Sequence, residues 1–178
     1  MMRKTGIGLI LAVLFGALTV SQVLADPNPQ VKIKTTQGTI TVELFSDVKV
    51  TTQNFVDLVK AGFYNGLTFH RYVPDFVIQG GDPTGTGNGG SDKNIPLEIT
   101  DHKHLKGALG MARNNNPNSA NSQFYICLAD LPQLDGNYCV FGKVLKGMDT
   151  AMKLRQGDKM LKVTLLPGKV EKKTADKQ

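Results

Sequence analysis

The segment Phe69-His70-Arg71-Tyr72-Val73-Pro74-Asp75-Phe76-Val77-Ile78-Gln79-Gly80-Gly81-Asp82 decides the fold. It is apolar and rich in β-branched and aromatic residues, so it reads as two short strands, Thr68 to Tyr72 and Phe76 to Gln79, interrupted at Val73-Pro74. Set into it are one arginine and one glutamine, eight residues apart. Even spacing puts both on one face of an unbroken strand, but the intervening turn leaves their mutual orientation open.

Working outward, Val31, Ile33 and Thr35 alternate with polar residues, Gln37-Gly38 supplies a two-residue turn, and Ile40, Val42 and Leu44 alternate again. That pattern predicts a β-hairpin with one buried face. From Val50 to Ala61 the period changes to that of a helix, with Phe55, Leu58 and Val59 on one side, Thr51 or Thr52 as cap and Gly62 as stop. Further strands are predicted at Ala108 to Ala112, Ser122 to Cys127, Val140 to Val144 and Met160 to Leu166, with a second, shorter helix over Met148 to Leu154. Gly-rich and Asn-rich loops, residues 80–90 and 114–121, separate them. Many short strands with frequent turns indicate an all-β architecture that hides its edges. The pattern alone fits a barrel and a sandwich equally.

The ends bound the folded unit. Arg3 and Lys4 precede an apolar run from Ile7 to Val20 and then Val23-Leu24-Ala25, the layout of a secretory signal peptide cleaved after Ala25. The run falls short of the roughly 20 residues that span a bilayer, so no membrane anchor is expected to remain after cleavage. The expected address is the periplasm, or secretion. Residues 26–168 then form one domain, and 169–178 a polar, mobile tail. Formal net charge is +6 for the whole chain, with 21 basic and 15 acidic residues. Losing Arg3 and Lys4 leaves it mildly basic, without the aromatic-interleaved basic stripe of a nucleic-acid surface. Cys127 and Cys139 read as small inner-strand hydrophobes, although export leaves a disulfide between them open. His102-x-His104 lacks further ligands for a metal, and residues 80–90 lack the Gly-Lys-Ser/Thr of a phosphate loop.

Three ordered blocks carry a resemblance. The Phe69–Asp82 segment, the stretch from Met111-Ala112 through Asn121-Ser122-Gln123-Phe124-Tyr125-Ile126, and Leu134-Asp135-Gly136 leading to Val140-Phe141-Gly142-Lys143-Val144 together resemble the cyclophilin family of peptidyl-prolyl isomerases, from about Val31 to Pro167. The resemblance implies a closed eight-stranded antiparallel barrel with a helix over each open end. It also implies a non-covalent isomerase without cofactor or metal, acting on proline-containing polypeptides; a monomer is expected. Arg71 would be the catalytic group and Gln79 its support. Substrate would be bound by Phe76, Val77, Ala112, Arg113, Gln123, Tyr125, Leu134 and Tyr138, with Gln123 contacting the peptide backbone.

Several positions depart from the commonest family pattern. Tyr125 replaces phenylalanine, Val77 methionine, Tyr138 histidine and Arg113 asparagine, so substrate preference is expected to differ, with Arg113 favouring acidic residues before proline. Gln133 stands where tight cyclosporin binders carry tryptophan, so only weak cyclosporin binding is expected. Two other classes compete with the enzyme: a module of the same fold that grips proline without accelerating rotation, and an unrelated barrel that carries a small ligand inside. A filled interior with a groove on the outer face separates the isomerase from the carrier.

Overall fold

The computed structural model describes residues 28–167. The predicted leader and the 169–178 tail lie outside the described residues. In chain order the elements are β1 (Gln30–Thr35), β2 (Gly38–Leu44), α1 (Lys49–Lys60), β3 (Arg71–Val73), β4 (Val77–Gly80), β5 (Ala108–Met111), β6 (Phe124–Cys127), a 3₁₀ turn (Pro132–Leu134), β7 (Val140–Lys146), α2 (Met148–Lys153) and β8 (Met160–Leu165). All ladders are antiparallel, and the strands follow the order β3-β4-β6-β5-β7-β2-β1-β8.

The expected closed barrel is not formed. The eight strands curl into a half-barrel whose edges are β3 and β8, with no ladder between them. Thr68 and Lys159 make an isolated bridge there, flanked by backbone hydrogen bonds from Phe69 N to Asp158 O and from Met160 N to Leu67 O, each 2.8 Å. The predicted strand from Thr68 therefore begins only at Arg71. Left-handed glycines at Gly66 and Gly157 bend the two facing segments, so they meet at points and not along a register.

Two local expectations shift for identifiable reasons. Thr35 pairs with Gly38, which makes Thr36-Gln37 the hairpin turn and draws Gly38 into β2. The N-terminus of α1 is capped by neither Thr51 nor Thr52, both of which lie within its first turn. Instead Glu98, remote in sequence, accepts from the Val50 and Thr51 amides at 3.0 and 2.6 Å and from the Thr51 hydroxyl at 2.6 Å. A carboxylate satisfies orphan amides and the positive helix end at once, which frees Thr52 to donate to Phe45 O. Gly62 ends the helix as expected. At φ +71, it lets its own amide reach Val59 O and the Phe63 amide reach Leu58 O, both at 3.0 Å, the two bonds of a Schellman motif.

Strand alternation divides the apolar residues into two clusters. Val31, Ile33, Ile40, Val42 and Leu44 fill the concave side together with Phe55 from α1. The Phe55 ring lies within 5.2 Å of Phe124 and Phe141 and 4.9 Å from Tyr64. In β6, Phe124 and Ile126 join this core, whereas Tyr125 and Cys127 join Val77, Ala108, Leu131 and Val140 in a smaller cluster on the convex side. The period-2 switch of side chains explains the division.

The cysteines fall on opposite sides of it. Cys127 belongs to the convex cluster and Cys139 to the concave core, and both are free and buried. Burial pushes the Cys127 thiol up to about 12 and the Cys139 thiol to about 11, so neither supplies thiolate at neutral pH. The folded protein is expected to give no reaction with a thiol reagent over minutes, and two equivalents on unfolding without reductant. Finding no titratable thiol after unfolding would contradict this arrangement.

Candidate active site

Register across β3, β4, β6 and β5 builds the site. Arg71 is the cross-strand partner of Gln79, Gln79 of Tyr125, and Tyr125 of Gly110. Directly opposed residues point to the same side of a sheet, so Arg71, Gln79 and Tyr125 form one row on the convex face. The orientation that sequence spacing left open is thereby decided. Val73 pairs with Val77, and Val77 with Cys127, which makes the next row wholly apolar.

Gly110 gives the row its depth. A Cβ at that position would run into the Tyr125 ring, so only glycine lets the ring lie against the sheet. Tyr125 forms a buried floor, with Phe76 and Leu134 packed beside its cluster. Arg71, Phe76, Val77, Gln79, Ala112, Arg113, Tyr125, Leu134 and Tyr138 line one open cavity of about 330 Å³. Nine of the ten residues expected at the site are therefore brought together.

Arg71 stands at the rim. Its Nη1 donates to Gln79 Oε1 at 3.3 Å, and its Cζ lies 5.6 Å from the Phe76 ring centroid, a contact that favours a cation over an aromatic face. Gln79 in turn donates through Nε2 to Gln123 Oε1 at 2.9 Å. Gln123 donates to the carbonyls of Gly87 and Gly89 at 2.9 and 2.7 Å. This chain runs from the guanidinium into the glycine-rich loop and restrains a side chain that would otherwise sample many rotamers.

Gln123 stands beside the cavity and not in its lining. It lines a neighbouring polar cavity of about 210 Å³ with Asn121, Ser119 and Asn114, and the two cavities share Gln79, Ala112 and Arg113. Arg113 is tied down, donating to Asn137 O through Nε and Nη2 at 3.2 and 2.8 Å and to Asn114 O through Nη1 at 2.8 Å. Its Cζ sits 4.8 Å from the Tyr138 ring centroid. It thus braces the partition between the cavities.

Three neighbours of the site are given no role in the sequence reading. Asp82, almost wholly buried, organises the glycine-rich loop by accepting from the Thr84 amide and hydroxyl, both at 2.8 Å, and from the Thr86 and Gly87 amides at 3.0 and 2.6 Å. Burial raises its pKa, but the hydrogen bonds outweigh burial and bring it to about 2. The other two are His104 and Asp135. The His104 ring meets the Tyr125 hydroxyl at 2.9 Å through Nε2 and Asp135 Oδ1 at 2.8 Å through Nδ1. A buried tyrosine hydroxyl demands a partner, and that demand was the available signal. His102, by contrast, stacks on Phe45 and contacts Asp47, so the two histidines do not converge.

His70, beside Arg71, has neither ring nitrogen in hydrogen-bond contact. Burial lowers its pKa, against the pull of Asp82. A neutral imidazole there adds no charge to compete with the guanidinium.

Comparison with known proteins identifies the family and agrees with the fold. Residues 30–173 match the family model described as cyclophilin type peptidyl-prolyl cis-trans isomerase/CLD. A peptidyl-prolyl cis-trans isomerase of Helicobacter pylori is 44% identical over 140 residues, covering 76% of this chain and 86% of the relative. One from Schizosaccharomyces pombe is 45% identical over 130 residues, covering 70% of this chain and 83% of the relative. A crystal structure of a Cryptosporidium parvum cyclophilin type isomerase superposes with a TM-score of 0.74 at 32% identity, covering 79% of this chain and 99% of that one. The same protein solved in the presence of the dipeptide Ala-Pro gives a TM-score of 0.72 at 32% identity, covering 78% and 99%.

The buried carboxylate yields a pH signature. A group whose pKa is depressed on folding contributes stability that is complete above its unfolded value, near 3.8, and is lost as pH falls through about 2. Asp82→Ala is therefore expected to be less stable than wild type at neutral pH by about 1–3 kcal/mol. The gap should narrow between pH 4 and pH 2 in thermal melts. A gap that stays constant down to pH 2 would show that ionised Asp82 contributes nothing.

Proposed function

The chain belongs to the cyclophilin family of peptidyl-prolyl cis-trans isomerases, and on that premise we propose that Arg71 accelerates rotation about X-Pro bonds by stabilising the twisted imide. The barrier is amide resonance, about 18–20 kcal/mol. Twisting the bond localises the lone pair on the prolyl nitrogen. A guanidinium donating to that nitrogen, or to the adjacent carbonyl oxygen, helps most at the top of the barrier, which is the differential binding that catalysis requires. The reaction makes and breaks no covalent bond, so it needs no general base and no cofactor.

One observation carries this reading. Arg71 spends one Nη on Gln79 and stands on the Phe76 ring at the edge of an apolar cavity, with its remaining donors at the rim. The fork is held before substrate arrives, so little reorganisation accompanies the reaction. The proline ring is taken up by Phe76, Tyr125 and Leu134, which restrain the ring and leave the preceding carbonyl free to swing. The relative solved with Ala-Pro supports a proline-containing ligand. The filled concave core and the groove on the convex face favour an isomerase over a carrier of interior ligands.

Residues before proline would meet Arg113 and the polar cavity next to the pocket, with Arg113 favouring acidic ones; support for this is that Arg113 borders both cavities. The natural substrates are exported polypeptides during folding. Support for that lies in the sequence: a basic start and an apolar run lead to Val23-Leu24-Ala25, which has compact residues at the two positions an export peptidase reads. Expression of the full chain in a bacterial host is expected to give a periplasmic product whose N-terminus is Asp26. A cytoplasmic product starting at Met1 would reject export.

For the catalytic assignment, Arg71→Ala is expected to lower kcat/KM for a short proline peptide by about 10- to 150-fold, the worth of one charge-assisted hydrogen bond. Gln79→Ala, which loosens the fork without removing it, should cost less. Equal cis-to-trans relaxation rates for wild type and Arg71→Ala would reject the mechanism and favour a module that only grips proline.

A further inference from the structure

His104 is wholly buried and lines neither cavity of the site, yet it is bonded to two sides of the proline pocket. Its carbonyl accepts from the Leu131 amide at 2.7 Å, immediately before the 3₁₀ turn. Its own amide donates to Asp135 Oδ1 at 2.9 Å and its Nδ1 meets the same oxygen at 2.8 Å, immediately after the turn. The 3₁₀ turn, which carries the wall residue Leu134, is thus held at both ends by one residue. Nε2 meets the Tyr125 hydroxyl at 2.9 Å, and Tyr125 is the floor.

Donor and acceptor identities follow from chemistry. An ionised carboxylate only accepts, so Nδ1 carries the proton, and in the neutral ring Nε2 accepts from the tyrosine O–H. Both ring nitrogens of His104 and the Tyr125 hydroxyl are then satisfied, as burial requires. The tyrosine hydroxyl is consumed by a residue outside the cavity, so the pocket meets the aromatic ring and not a polar group. Gly110 fixes the ring from below, and the hydroxyl fixes its tilt.

We propose that His104, anchored by Asp135, is a positioning residue that sets the gap between the Tyr125 floor and the Leu134 wall, and so the fit of the substrate's proline ring. This rests on the reading of that cavity as the proline site. The ring keeps the same contacts while the preceding bond turns, so a looser pocket loses binding shared by ground and transition states. Such a loss raises KM and leaves kcat.

The test measures kcat and KM separately on a short proline peptide, with thermal melts alongside. Asp135→Ala cuts the anchor at a partly exposed position and is expected to raise KM about five- to tenfold with kcat within about twofold. Asp135→Asn keeps an acceptor oxygen for both His104 N–H groups and should recover most of the loss. If Asp135→Ala is not folded at the assay temperature, Tyr125→Phe, which conserves volume and unties the floor, must show the same KM rise. A wild-type KM in the folded variant, with only the melting temperature lowered, would overturn the proposal. Arg71→Ala in the same assay separates the two readings: normal KM in the Asp135 and Tyr125 variants with a collapsed Arg71→Ala rate defeats the positioning role alone, whereas an unimpaired Arg71→Ala defeats the site itself.

Discussion

The lateral register of β3 on β4 and of β4 on β6 is the constraint on which the site depends. It sets Arg71 opposite Gln79 and Gln79 opposite Tyr125. A slip of one residue in either ladder would send Arg71 or Tyr125 into the concave core and bring Tyr72 or Ile126 to the surface. That alternative is forbidden by the core itself, because Ile78 and Ile126 are fully buried among Phe55, Phe69 and Phe124. Hydrophobic packing on one face of the sheet thereby fixes polar geometry on the other. The β3 strand is only three residues long, so its register also relies on the contacts of its side chains, including the hydrogen bond from Arg71 to Gln79.

Two hydrogen-bond chains extend this register into the loops, and they differ in kind. The one from Arg71 through Gln79 and Gln123 to Gly87 and Gly89 is half-exposed, uses long flexible side chains and restrains a charge. The one from Tyr125 through His104 to Asp135 is buried and short. Burial makes each bond in the second chain more consequential, because an orphaned polar atom there has no water to turn to. Asp82 serves the first chain indirectly by holding the loop whose carbonyls Gln123 binds.

Much of this was legible in the sequence. Alternation located the hairpin and separated Tyr125 from Phe124 and Ile126, helical periodicity found α1, and the family resemblance named nine residues that do line one cavity. What was not legible depends on contacts between distant segments. The capping of α1 by Glu98 replaces a local signal, the threonines, with a carboxylate some fifty positions away. Thr68 to His70 has strand composition, yet the opposing segment bends at Gly157 and no ladder forms. Spacing could not show that Arg71 and Gln79 share a face, because the answer lies in pairing across the turn at residues 74–76, with Val73 already part of β3. No role for His104 was legible in the sequence, because its partners, Tyr125 and Asp135, are 21 and 31 residues away.

The central claim is that a pre-held guanidinium faces the imide of a proline seated on Tyr125. A crystal structure of the protein with a bound proline-containing peptide tests it most directly. The pyrrolidine ring is expected between Phe76, Tyr125 and Leu134, with an Arg71 N–H within about 3.2 Å of the prolyl nitrogen or the preceding carbonyl oxygen and the Gln79 contact intact. A peptide bound elsewhere on the surface, or an Arg71 side chain turned away from the seated proline, would contradict the account.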